Sequence, residues 1–192
     1  VFLELDLTSP AAVEHAFVDE PPFQILINNA GMDQHAWFTE TSPAQWQALL
    51  AVNLTAVLAV TRAVLPAMQS AGYGRLVHIA SEAARLGSAG GAVYAASKGA
   101  VLAFSRSMAR ENARYGITSN VIAPGPVETP MLKEALVDGG DKLYRAMVGA
   151  TLVGRLGRVD EIAAAVAFVA SDEAGFITGE VLGVSGGMGC GQ

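Results

Sequence analysis

Tyr94 and Lys98 stand four residues apart in the stretch VYAASKGA. On a helix that spacing is one turn, so a phenol and an ammonium share a face and can reach one ligand. A phenol with its ordinary pKa of about 10 is mostly protonated at neutral pH, and a neighbouring ammonium favours the ionised form. The pair is suited to proton transfer. Alone, the spacing fits a surface aromatic beside a solvated amine equally well. Ser81 weighs against that bland reading, because it closes the apolar run RLVHIA thirteen residues before Tyr94, on a separate element able to reach the same pocket.

Positioning these groups requires strands that end where helices begin. Short apolar runs recur as VFLELDL, FQILINNAG, RLVHIAS, TSNVIAPG and VLGVSGG, each leading into Gly, Ser or Asn and each too short for a helix. They predict buried parallel strands. Longer helical stretches lie between them. Two open alike, TSPAAV and TSPAQW, with Ser9 or Ser42 as N-cap and Pro10 or Pro43 at the first helical position. A third helix is expected from about Ala92 through Arg114, stopped by Gly116, and a fourth from about Asp160 to Ala170. The segment from Val127 to about Leu156, with Pro130 and four glycines, predicts a mobile flap of modest helical pieces. Strands alternating with helices imply an α/β fold with a parallel sheet, in which ligands bind beyond the carboxyl ends of the strands.

Composition sets the class. The 192 residues are 52% apolar and 16% charged, which argues for one packed domain over residues 1–192. With 12 basic and 18 acidic residues the net charge is −6, an unsuitable footprint for nucleic acid or an anionic membrane surface. Cys190 is the sole cysteine, so no intrachain disulfide forms and a reducing, cytoplasmic location is expected. No apolar run approaches the length of a spanning helix, and the opening VFLELDLTSP has no basic start or cleavage site.

Five motifs in this order, NNAG at 28–31, VNLT at 52–55, IASEA at 79–83, VYAASKGA at 93–100 and NVIAPGPVETPM at 120–131, resemble the short-chain dehydrogenase/reductase family nearly end to end. The resemblance implies a Rossmann-like doubly wound parallel sheet that uses NAD or NADP. It implies a catalytic tetrad of Asn53, Ser81, Tyr94 and Lys98. Tyr94 exchanges the proton of a secondary alcohol or ketone, and Lys98 with the positive nicotinamide lowers its pKa while holding the ribose hydroxyls. Ser81 bonds the substrate oxygen, and Asn53 anchors a water that relays protons. By the same resemblance Asp6 and Leu7 lie beside the adenine. Asn28, Ala30 and Gly31 receive the adenosine ribose, and Pro124, Gly125, Val127 and Thr129 face the nicotinamide carboxamide.

The small-molecule substrate is expected among Met32, Asp33, Trp37, Ala83, Arg85, Gly91, Met131 and Leu132. Several stretches are similar to family members acting on cyclic hydroxyacyl-CoA, with 3-oxoacyl carrier-protein reductase as the alternative and a non-catalytic subunit of the same fold as the other class. The family pairs long helices into tetramers, and those near 53–70 and 95–114 are candidates for a homotetramer.

One departure is plain. The family's first strand, its T-G-x-x-x-G-x-G turn and the following helix and strand do not occur in this sequence, so about 50 to 60 upstream residues are expected. The residue that separates NAD from NADP belongs to that part. Two rival chemistries fail. GVSGG at 183–187 fits a hydrolase nucleophile elbow, but no acid or His follows Ser185. His15, His35 and His78 lack the spacing of a metal helix, and no metal is expected.

Overall fold

Parallel neighbours cannot be joined by a hairpin, so each successive strand must be reached by a crossover. The computed structural model, which describes residues 2–18, 20 and 22–190, shows that arrangement. Strands β1 (Ile25–Asn28), β2 (Gly74–Ile79), β3 (Ile117–Pro124) and β4 (Val181–Val184) lie side by side in chain order. Every neighbouring pair is parallel, with Ile27 opposite Val77 and His78 opposite Val121. β2 and β3 are buried nearly throughout, as the centre of a parallel sheet demands.

The two Ser-Pro signals open helices as expected. Ser9 accepts from the Ala12 amide at the start of α1 (Pro10–Ala16). Ser42 and Gln45 form a reciprocal capping box on α2 (Pro43–Leu50). A π-helical turn, Ala51–Thr55, joins α2 to α3 (Ala56–Ala71), which stops at Gly72 with φ 66°. α4 (Ala83–Leu86) and α5 (Ala92–Asn112) follow β2, and α5 ends through a short 3₁₀ turn at Gly116, φ 70°. α6 (Pro130–Gly149) and α7 (Val159–Val169) complete the set.

Helices cover both faces of the sheet. On one, Val64 and Met68 of α3 pack with Leu76 and Ile117, and Leu102 of α5 packs with Ala80 and Val121. On the other, Val169 and Ala170 pack with Val77 and Ile122. Each of the Val, Leu, Ile and Met side chains among these contributes roughly 2 kcal/mol by leaving water. This is the α/β parallel architecture expected of the sequence.

Two expectations change and one holds. Residues 2–6, read as a strand, carry no regular structure, because a strand needs a neighbour to receive its backbone bonds and none pairs with this run among the described residues. In the 127–156 segment the helical pieces are as expected: α6 is two helices that meet at a kink at Gly140, whose φ of 54° and ψ of −156° are non-helical. Finally, Pro43–Ala71 is a continuous helical run of 29 residues, long and apolar enough to cross a membrane by length and composition. Its packing is that of a core helix: Val57, Val60, Val64 and Met68 are buried, while Asn53 and Thr61 are hydrogen-bonded within the protein.

Candidate active site

The carboxyl ends of β1, β2 and β3 bring the chemistry together. Beyond β2 the ladder continues as Ala80 donates to Ile122 O at 2.8 Å and Glu82 to Pro124 O at 2.9 Å, which holds Ser81 between two fixed amides. Ser81 Oγ accepts from the Ala83 amide at 3.1 Å, leaving its proton for another partner. The Tyr94 hydroxyl lies close enough to Ser81 for the serine to favour its ionised form. One turn along α5, Lys98 lies with Nζ 5.9 Å from the Tyr94 ring centroid and donates to Ile79 O at 2.9 Å. Ser81, Tyr94 and Lys98 therefore converge.

Burial dominates the electrostatics. It pushes the Tyr94 phenol above the ordinary tyrosine range, the Ser81 hydrogen bond opposes it, and the Asp33 carboxylate adds to it. Without the dinucleotide, desolvation governs the phenol; the expected lowering belongs to the Lys98 ammonium acting together with the positive nicotinamide. Lys98 responds to the same burial, which lowers it to about 8 against the opposing pull of Asp33.

Asn53 is fully buried in the π turn. An inserted residue shifts the helical register there and turns the side chain toward α5 and the loop after β1. Its Nδ2 donates to Met32 O at 2.9 Å and Ser97 Oγ at 3.2 Å, and its Oδ1 accepts from the Met32 amide at 2.9 Å. Both amide protons are thus committed to protein partners. A Cβ on Gly31 would meet Lys98 Nζ at 3.2 Å and Asn53 Oδ1 at 3.4 Å, so Gly31 keeps open the space beside the amine.

The expected cofactor residues divide by what their side chains already do. Asn28 donates to Thr61 Oγ1 at 3.2 Å and lies 3.0 Å from His78 Nδ1, so its Nδ2 stitches β1 to α3 and β2 while its Oδ1 and backbone remain for a ligand. Thr129 caps α6 by accepting from the Leu132 amide at 3.2 Å. Val127 sits in a bridge with Gly157. Pro124 ends β3, and Gly125 packs against Ser185 so closely that a Cβ would lie 2.9 Å from its Cα. Asp6 accepts from the Thr8 amide and hydroxyl at 2.9 and 2.7 Å, with Leu7 in the turn between and Ala30 exposed.

Of the expected substrate residues, Met32 and Asp33 share a cavity of about 260 Å³ with Gln34, His35, Trp46 and Val93. Trp37 and Met131 are exposed, Leu132 and Gly91 buried, and Arg85 is paired with the buried Glu82 at 3.4 Å. A larger hollow of about 470 Å³ between Arg106, Arg110 and Gly179 lies about three turns farther along α5 and takes no part in this cluster. Gln34 and Ser97, which hold the site's framework, carry no signal in the sequence beyond nearness to NNAG and VYAASKGA.

A phenol and an amine on one helix, met by a serine from the preceding strand and an asparagine from a π turn, point to one family. A family model described as enoyl-(acyl carrier protein) reductase matches residues 1–189. The chain belongs to the short-chain dehydrogenase/reductase family. This short-chain dehydrogenase/reductase is 43% identical over 190 residues to the 3-oxoacyl-acyl-carrier-protein reductase FabG of Salmonella typhimurium, covering 97% of this chain and 76% of that protein. It is 41% identical over 170 residues to the acetoacetyl-CoA reductase of Shinella zoogloeoides, covering 88% and 69%. Its fold is similar to a gluconate 5-dehydrogenase of Burkholderia cenocepacia solved with NADP and tartrate, with a TM-score of 0.92, 36% identity and coverage of 97% and 74%.

Proposed function

We propose that this chain forms a single dinucleotide-binding domain that interconverts a secondary alcohol and a ketone with NAD or NADP. The observation that carries the reading is the convergence of Ser81, Tyr94 and Lys98 at the end of β2. When bound, the dinucleotide supplies a hydride acceptor or donor and, in its oxidised form, a positive ring. The open space that Gly31 keeps beside Lys98 Nζ fits such a group. Lys98 would hold its ribose hydroxyls. The turns at Asp6–Leu7, Asn28–Gly31 and Pro124–Thr129 would hold the rest. Tyr94 Oη takes the hydroxyl proton in oxidation and returns it in reduction, while Ser81 donates to the substrate oxygen as charge builds there. Because burial holds the phenol protonated, the resting protein is poised as the acid of the reductive direction.

For the substrate we favour a 3-oxoacyl thioester, since two relatives are named for reducing 3-oxoacyl-carrier-protein and acetoacetyl-CoA. A second reading, a cyclic 2-hydroxyacyl-CoA, is favoured by the stretches TETSPAQW and FITGEVLGVSGG, which resemble 2-hydroxycyclohexanecarboxyl-CoA dehydrogenase. A cytoplasmic homotetramer is the matching physiological form, checked by light scattering and fractionation.

The deciding experiment uses the full-length protein. Fluorescence titration with NADH and NADPH comes first, then turnover on acetoacetyl-CoA, a 3-oxoacyl carrier protein, a 2-oxocyclohexanecarboxyl-CoA and gluconate. Tyr94→Phe should reduce turnover by at least about a thousandfold while dinucleotide binding persists. Unchanged turnover in that variant excludes the mechanism, and failure of both dinucleotides to bind leaves a non-catalytic subunit of the same fold.

A further inference from the structure

The helix that carries Tyr94 begins without a cap of its own. Gly91 stands at its N-cap position and has no side chain to offer, although the first-turn amides of a helix have no intrahelical acceptor. Gln34, from the loop after β1, supplies one. Its Oε1 accepts from the Val93 amide at 2.9 Å and from the Tyr94 amide at 3.1 Å, and its Nε2 donates to Ala36 O at 3.2 Å. The Ala36 amide in turn donates to Gly90 O at 2.9 Å, so the loop and the start of α5 are joined at two levels. The same loop is fixed at its other end by Asn53 through both backbone atoms of Met32.

We propose that Gln34 is a positioning residue for Tyr94: by capping α5 at the tyrosine's own amide, it ties the height of the phenol to the loop that Asn53 anchors. This inference rests on the catalytic reading of Tyr94 given above. Gln34 touches neither phenol nor amine. It acts through backbone, and a displacement of about 1 Å at a reacting group is enough to cost on the order of a hundredfold in rate.

The test compares Gln34→Met, which keeps the size but removes the acceptor, with Gln34→Glu, which keeps it. Gln34→Met should lower kcat by about ten- to a hundredfold with the dinucleotide Kd within about twofold of the parent. Gln34→Glu should restore kcat to within about threefold above the acid limb of the pH profile, because a carboxylate still accepts both amides and suits a helix N-terminus. That limb should move to higher pH, since a new negative charge joins Asp33 near the phenol, with Lys98 the facing cation and His35 the partner of Asp33. Gln34→Ser, which admits water to the two amides, is read in place of Gln34→Met if the latter does not fold. Parental kcat in Gln34→Met, or Gln34→Glu as impaired as Gln34→Met at every pH, overturns the inference. Tyr94→Phe separates the two levels: an active Tyr94→Phe removes the catalytic reading, whereas an inactive Tyr94→Phe with an unaffected Gln34→Met removes only the role of Gln34.

Discussion

Asn53 and Met32 are bonded to each other twice, the Met32 amide donating to Asn53 Oδ1 and Asn53 Nδ2 donating to Met32 O, both at 2.9 Å. This reciprocal clamp joins the π turn to the loop that begins at Gly31, and the third bond, to Ser97 Oγ, extends it to α5. Three elements with no sequence adjacency thus meet at one fully buried amide.

Removing that amide leaves the part-buried amide and carbonyl of Met32 unpaired and takes a bond from Ser97 Oγ. Asn53→Ala should destabilise the fold by about 3 kcal/mol, read from urea unfolding, because each unsatisfied polar group costs about 1 kcal/mol or more. Turnover should fall as well, by about tenfold or more, since Gly31 and the loop beside Lys98 lose their anchor. Parental stability in this variant contradicts the clamp.

Asp33 faces Tyr94 and Lys98 with a negative charge and raises the pKa of both. Its neutral isostere, Asp33→Asn, withdraws that charge, so the phenolate forms at lower pH. The acid limb of the alcohol-oxidation profile should move to lower pH, and oxidation at pH 7 should rise by about twofold to fivefold. A shift to higher pH rules out the electrostatic assignment.

Lys98 should be visible as an early-titrating amine. The chain has three lysines. In a nitrogen-15 NMR titration of the dinucleotide-free protein, one lysine signal should titrate at about 8 and vanish in Lys98→Met. If the Lys98 signal titrates in the ordinary lysine range, burial does not govern it.

His78 makes the fold sensitive to acid. Buried between β1 and β3, it is held to about 4 by desolvation, against about 6.5 when exposed. Between those values the unfolded chain binds more protons than the folded one. Stability is therefore intact above pH 6.5 and lost as the pH falls toward 4, by at most about 3 kcal/mol. Urea midpoints across that window should fall steeply in the parent and more gently in His78→Gln, which also starts lower because the contacts to Asn28 and Ser119 are altered.

Much of this was legible along the chain. The Ser-Pro pairs at 9–10 and 42–43 predict helix starts because a cap is a local contact spanning three residues, and both helices begin there. Tyr94 and Lys98 share a face because helical geometry alone places them so. Residues 2–6 misled for the opposite reason: a short apolar run announces a surface that wants covering, whereas a strand exists only beside a partner. The glycines of 127–156 suggested breaks, and α6 is indeed interrupted at Gly140, where a positive φ of 54° that glycine adopts readily ends one helical piece and starts the next.

The family motifs identified the chemistry but not its support. Gln34 and Asp33 lie outside any spacing rule, and the π turn at Ala51–Thr55 has no periodic signature, because an inserted residue shows itself only when Asn53 finds Met32 and Ser97. Sequence by itself determined the alternation of strand and helix, the helix starts and the shared helix face of Tyr94 and Lys98, all governed by contacts within a few residues. Tertiary structure alone decided how deeply Tyr94 and Lys98 are buried, which amide caps their helix and which side chains were already engaged, because desolvation and long-range hydrogen bonds depend on elements dozens of residues apart arriving at one place.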